Sequence, residues 1–88
     1  MSKFAGGSAF AFARDIGEGY HLATERSFRG MLRPQLDQLA FELDRRLREI
    51  RGVQVALDDL PAIKARNRKI QRLNSALSML RIYRQKLR

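Results

Sequence analysis

The sequence contains no cysteine, no tryptophan and a single histidine, His21. Without cysteine the chain can form neither a disulfide nor a thiolate metal site, and one histidine is too few for a zinc site unless carboxylates assist. We therefore predict no metal and no cofactor. An 88-residue chain without these supports must obtain its stability from helix packing or from self-association.

Long apolar runs are also missing. No stretch approaches the length of about 18 residues that a membrane span requires. Residues 4–13 are mildly apolar, but Gly6, Gly7 and Ser8 interrupt them, so a secretory signal is not expected. We expect a cytoplasmic protein.

Acidic residues are absent from the last third of the chain. The sequence has 18 Lys and Arg against nine Asp and Glu, for a net charge of +9. Residues 61–88 hold nine cations and no acid, whereas residues 1–33 carry +2 and residues 34–60 carry −2. Such an excess indicates a polyanionic partner, and the predominance of arginine suits recognition of phosphate or carboxylate.

Residues 34–58 have the periodicity of an amphipathic helix. Pro34 suits the first helical turn, where its missing N–H has no cost. Gly52 could end the helix, but the apolar stripe continues across it and favours one helix to residue 58. The stripe follows a 3.6-residue period, and its members are Leu36, Leu39, Leu43, Ile50, Val53, Leu57 and Leu60.

A second long helix is predicted over residues 60–87. Asp58 and Asp59 suit an N-cap and Pro61 a first turn, so this helix should begin at residues 59–62. Its apolar residues follow a heptad pattern: Ile63, Ile70, Leu73, Leu77, Leu80 and Leu87. The predicted fold is all-α, with a tight turn joining the two helices into a long antiparallel hairpin, residues 34–88.

The apolar faces of these helices are wider than one hairpin needs. Met79, Ile82 and Tyr83 widen the face of the second helix, and Phe41 lies off the stripe of the first. The N-terminal segment or a second copy of the chain must cover them. We predict a dimer that forms a helical bundle.

Residues 1–33 are interpreted as a separate N-terminal segment. Its first eight residues should be disordered. Phe12, Ile16 and Tyr20 lie four residues apart, which favours a shorter helix between about residues 9 and 31, although Gly17 and Gly19 weaken it.

Nothing in the sequence predicts catalysis. His21 with Glu18 and Glu25 is interpreted as a solvated surface cluster, because no nucleophile or further ligand is indicated nearby. Asp58 and Asp59 are accounted for as helix caps. No glycine pattern has the strand and the Lys-Ser/Thr of a phosphate-binding loop. We expect the protein not to be an enzyme.

The basic second helix is the candidate functional site. Amide and hydroxyl side chains between its cations complete a donor set that suits phosphates and base edges. The predicted nucleic-acid-binding residues are Lys64, Arg66, Arg68, Lys69, Arg72, Arg81, Arg84, Lys86 and Arg88. No helix-turn-helix, RNA-binding signature or zinc finger is present. Binding should therefore be dominated by phosphates and be weakly sequence-selective, with DNA and RNA both open.

Two other classes of protein fit the same charge distribution. One is a coiled-coil adaptor or structural subunit whose basic helix meets an acidic protein partner. The other is a peripheral membrane protein, which is the least favoured because the cations surround the helix instead of flanking one apolar face.

Overall fold

A computed structural model describes residues 7–87 of the chain. Within this range all regular structure is helical and no strand is formed: α1 spans Ala9–Glu18, α2 Glu25–Phe28, α3 Arg33–Gly52 and α4 Leu60–Lys86. The predicted all-α class is confirmed. No helix of this described range is both long enough and apolar enough to cross a membrane.

The first helix begins at a serine cap and ends at a left-handed glycine. The Ser8 hydroxyl accepts a hydrogen bond from the Ala11 N–H at 3.1 Å. Gly19 has φ 87°, and its N–H bonds to the carbonyls of Asp15 and Ile16. A Cβ at Gly19 would also lie 2.9 Å from Cζ of Arg72. Only glycine suits this position, and the chain leaves the helix there.

The single helix predicted over residues 9–31 is therefore wrong. Residues 19–24 separate α1 from the four-residue α2, which begins after Thr24. The Thr24 N–H donates to Oγ of Ser27 at 3.1 Å. Of the eight residues predicted to be disordered, 1–6 lie outside the described range, and Ser8 is ordered as the cap of α1.

The third helix ends six residues earlier than predicted. Pro34 lies in its first turn, as expected, but the helix stops at Gly52 and residues 53–59 form a connection that contains a turn. Arg66 stabilises this ending, because its guanidinium donates to the carbonyls of Ile50 at 3.3 Å and Arg51 at 3.0 Å. Both are among the last four carbonyls of α3, which have no N–H donor four residues further on; the Ile50 carbonyl also accepts from the Val53 N–H at 3.2 Å. A cation near them complements the helix dipole.

The predicted continuation of this helix to residue 58 is wrong, and the core is shorter as a result. Val53, Leu57 and Leu60 were assigned to the buried stripe, but they are 56%, 94% and 60% exposed. The predicted tight turn is instead a connection of seven residues. Glycine and β-branched residues have low helix propensity, and the exposed side chains beyond Gly52 gain too little burial to offset that.

The fourth helix begins where the sequence predicts. Asp59 is its N-cap, and Oδ1 of Asp59 accepts a hydrogen bond from the Ala62 N–H at 3.1 Å. Pro61 lies in the first turn. The helix has 27 residues, which corresponds to about 40 Å at 1.5 Å per residue.

One core joins the helices. Phe12 and Ile16 of α1 and Phe28 of α2 pack into it, and the Phe28 and Tyr83 rings lie 5.7 Å apart. The buried core residues of α3 and α4 are Leu36, Leu39, Leu43, Leu47, Ile50, Leu73, Ala76, Leu77 and Leu80. The start of α3 lies beside the end of α4, since Asp37 pairs with Arg84 at 2.9 Å.

The N-terminal segment thus covers part of the apolar surface that a second copy was predicted to cover. Met79 and Tyr83 pack against the core that α1 and α2 help to form. Phe41 and Ile82 remain more than half exposed. The wide apolar faces therefore do not by themselves require a dimer.

Candidate nucleic-acid interface

Three of the predicted cations form a row on the surface of α4. Lys64, Arg68 and Arg72 are spaced four residues apart, so successive side chains are rotated by only about 40° around the helix. All three are exposed. The row, called the basic row below, extends over about 12 Å of the helix.

Most of the basic row is free to bind a ligand. Within residues 7–87, Lys64 and Arg68 have no hydrogen bond or ion pair. Arg72 donates from Nη1 to the Gly17 carbonyl at 3.2 Å. That bond uses one of the five N–H donors of the guanidinium. The row lies on a helix without acidic residues, so no neighbouring carboxylate on α4 neutralises it.

Other predicted cations hold the fold together. Arg66 binds the end of α3, as described above. Lys69 pairs with Glu18 of α1 at 3.0 Å, and Arg46 of α3 approaches the same carboxylate at 3.7 Å. This cluster links α1, α3 and α4. Lys69 and Arg46 are partly buried, so they are poorly placed to meet a macromolecule.

Two more candidates pair near the end of α4. Arg84 meets Asp37 at 2.9 Å, and Lys86 meets Glu25 at 3.6 Å. The second pair is the more exposed of the two, and surface pairs of this kind contribute about 0–1 kcal/mol and exchange readily for other partners. Lys86 therefore remains available to contact an anion, whereas Arg84 is oriented by the carboxylate of Asp37.

Arg81 belongs to a different surface from the basic row. It lies about 140° around α4 from Arg68, given 100° per residue. With Arg33, Arg84 and Gln85 it lines a depression of about 510 Å³. Arg33 donates to the Leu87 carbonyl at 3.0 Å. The structure thus divides the eight predicted residues that it describes between two surfaces and contacts with other helices. Arg88, the ninth, lies outside the described residues.

The predicted surface cluster of His21, Glu18 and Glu25 does not form. Glu18 pairs with Lys69, and Glu25 pairs with Lys86. His21 is partly buried, with its ring centroid 4.6 Å from the Phe12 centroid in an edge-on arrangement and Nε2 3.2 Å from Oγ of Ser27. The break of the helix at Gly19 rotates His21 away from the positions that a continuous helix would give it.

A cavity of about 310 Å³ adjoins the basic row. It lies between the connection after α1 and the outer side of α4. Its polar lining comes from His21, Arg68, Gln71, Arg72 and Ser75, and its apolar lining from Ile16, Leu22, Ala23 and Ala76. The basic row and this cavity together form the candidate interface.

Sequence reasoning missed several cations. Arg33 was assigned to the N-terminal segment, and only the packing of α3 on α4 brings it to Arg81 and Arg84. Arg26, Arg29 and Arg51 are exposed and, within the described residues, have no ion pair. Arg46 interrupts the apolar stripe of α3, and that interruption was the one sequence signal that it contacts another helix.

Comparison with protein-family models, with curated proteins and with solved structures gives no match to this chain.

Proposed function

We propose that this protein is a small nucleic-acid-binding accessory protein that contacts phosphates through the basic row. The observation that carries the proposal is the pair of cations without partners in the described range, Lys64 and Arg68, in line with Arg72 on a helix free of acids. Arginine donates bidentate hydrogen bonds to phosphate oxygens, and lysine contributes a mobile point charge.

The length of the row suits a phosphate backbone. Each strand of duplex DNA carries one phosphate per 3.4 Å of helix axis, and neighbouring phosphates are further apart than this because the backbone winds around the axis. A row of about 12 Å is still long enough to contact more than one phosphate. Phosphate contacts position a protein but carry no sequence information. The binding should therefore be weakly sequence-selective, and the row accepts the backbone of either DNA or RNA.

Salt titration tests this proposal. The affinity of the protein for heterologous DNA and RNA should fall linearly on a plot of log K against log salt concentration, because each neutralised phosphate releases counterions. Fluorescence anisotropy over a range of salt concentrations measures the slope. If neither nucleic acid gives salt-dependent binding, the proposal fails, and a coiled-coil adaptor for an acidic protein partner becomes the better interpretation.

We further propose that α3 and α4 act as a long antiparallel hairpin and that two copies of the chain associate. The hairpin is supported by the pairing of Asp37, near the start of α3, with Arg84, near the end of α4. Association is supported by three exposed apolar side chains within the eight residues from the connection to the start of α4: Val53, Leu57 and Leu60. Apolar residues concentrated on a surface favour association. Light scattering at tens of micromolar should return twice the mass of one chain, and Leu57→Asp should return the mass of a single chain. A single-chain mass for the parent protein would contradict the dimer.

A further inference from the structure

The cavity beside the basic row has two chemically different sides. Ile16, Ala23 and Ala76 are buried side chains that give it an apolar floor. Arg68 and Arg72 line it from α4, and His21 and Leu22 line it from the connection that follows α1. A ligand that fills it must therefore present an apolar surface and an anionic group next to each other.

The two arginines are arranged differently for such a ligand. Arg72 is fixed, because its guanidinium rests against Gly19 and donates to the Gly17 carbonyl. Its remaining N–H groups stay available, since a guanidinium has five donors. Arg68 has no partner within residues 7–87. One oriented guanidinium and one without a protein partner in the described range line the same cavity, so both can donate to one phosphate.

The size of the cavity limits the ligand. About 310 Å³ is near the lower end of the range for small-ligand sites. That volume accommodates one nucleotide but not two. His21 is held by its contacts with Phe12 and Ser27, so its ring offers a fixed surface for stacking. Bases in single strands are commonly bound by stacking on aromatic or guanidinium planes.

We propose that this cavity binds one nucleoside monophosphate unit. The base lies against the apolar floor and the His21 side of the cavity, and the phosphate lies between Arg68 and Arg72. The unit is either a free mononucleotide or one unstacked nucleotide of a strand, and the second case rests on the nucleic-acid binding proposed above. A base paired inside a duplex cannot enter without leaving its stack. The protein should therefore prefer single strands.

Two variants test the site without a change in charge. Ser75 lines the cavity, so Ser75→Phe should fill part of it. Ser78 is exposed one turn further along α4 and does not line the cavity, so Ser78→Phe is the matched control. Thermal denaturation followed by circular dichroism establishes that both variants fold.

Binding is measured with single strands and duplexes of roughly ten nucleotides at one salt concentration. The parent and Ser78→Phe should bind the single strand about tenfold more tightly than the duplex, as expected for one stacked base. Ser75→Phe should lose this preference and keep its duplex affinity. If Ser75→Phe folds and still prefers the single strand, the site is overturned.

Amide chemical shifts of the parent protein distinguish the two sources of the ligand. AMP and UMP should each shift the resonances of Gly19, His21, Ala23 and Ala76 in a saturable manner, and inorganic phosphate should shift them much less. Equal shifts with phosphate alone would overturn the nucleotide site. If AMP or UMP titrates these residues but no strand binds, the cavity proposal stands and the proposed function fails. If single strands and duplexes bind equally and no mononucleotide shifts these resonances, the cavity proposal fails and the proposed nucleic-acid binding stands.

Discussion

Replacing Leu43 by alanine should lower the free energy of unfolding by about 2–5 kcal/mol, the usual range for Leu→Ala in a protein core. Leu43 is 0% exposed and belongs to the core to which α1, α3 and α4 contribute. A domain of this size has a total stability of only about 5–15 kcal/mol, and small domains lie at the lower end. The variant should melt at a much lower temperature or lose cooperative unfolding altogether.

Leu57→Ala is the matched control, since it makes the same chemical change at a residue that is 94% exposed. Its effect on the unfolding of a single chain should stay within about 0.5 kcal/mol. Urea denaturation, at a concentration low enough for the chain to be monomeric, compares the two midpoints. Equal losses of stability in both variants would show that the helix continues through Gly52 and that Leu57 is buried. An unchanged urea midpoint for Leu43→Ala would show that Leu43 does not lie in the core.

The contrast between these two leucines shows how far the helical pattern could be predicted. Leu43 and Leu57 lie on the same stripe of the sequence, and periodicity alone treats them alike. What separates them is tertiary structure. The carbonyls freed at the end of α3 find a donor in Arg66, which lies 15 positions beyond Arg51 in the chain. The periodicity of apolar residues within a helix cannot reveal a hydrogen-bond donor that comes from another helix.

Local signals predicted other boundaries correctly. Pro34, Asp59 and Pro61 act through the backbone of their own helical turn, so the sequence places the beginnings of α3 and α4 without any knowledge of packing. Gly19 was recognised only as a weak helix former. Its left-handed conformation accompanies a close approach by Arg72, which lies on α4. The residues of the N-terminal segment alone therefore did not predict that it forms two helices, α1 and α2, instead of one.

In the candidate interface, too, the sequence predicts what depends on local spacing and misses what depends on contacts between helices. The spacing of Lys64, Arg68 and Arg72 defines a row on any helix, so the sequence already contained it. The pairing of Lys69 with Glu18 joins residues 51 positions apart and depends on how α1 packs. Counting charges therefore predicted that the helix is positive. It could not separate cations that bind other helices from cations that have no partner within the described residues.

Replacing both Lys64 and Arg68 by glutamine should weaken nucleic-acid binding and leave the fold intact. Neither side chain has a partner within the described residues, and glutamine is a good helix former. The slope of log K against log salt should decrease by up to about 0.9 for each phosphate of duplex DNA that the variant no longer neutralises. At about 0.1 M salt, two such phosphates correspond to a decrease in affinity of up to roughly sixtyfold relative to a 1 M reference.

The matched control replaces Arg45 and Arg48 by glutamine, which removes the same total charge from α3. Arg45 pairs there with Glu42 and Glu49, and Arg48 pairs with Asp44, so phosphates approaching that face meet carboxylates as well. The control should keep nearly the parent slope, because the paired carboxylates already keep phosphates away from that face. An effect of net charge alone would instead reduce the slopes of both variants equally. Equal reductions in the anisotropy titrations would show that the protein attracts polyanions through its overall charge and that the basic row is not a contact surface. A reduction confined to Lys64→Gln with Arg68→Gln would assign the phosphate contacts to that row.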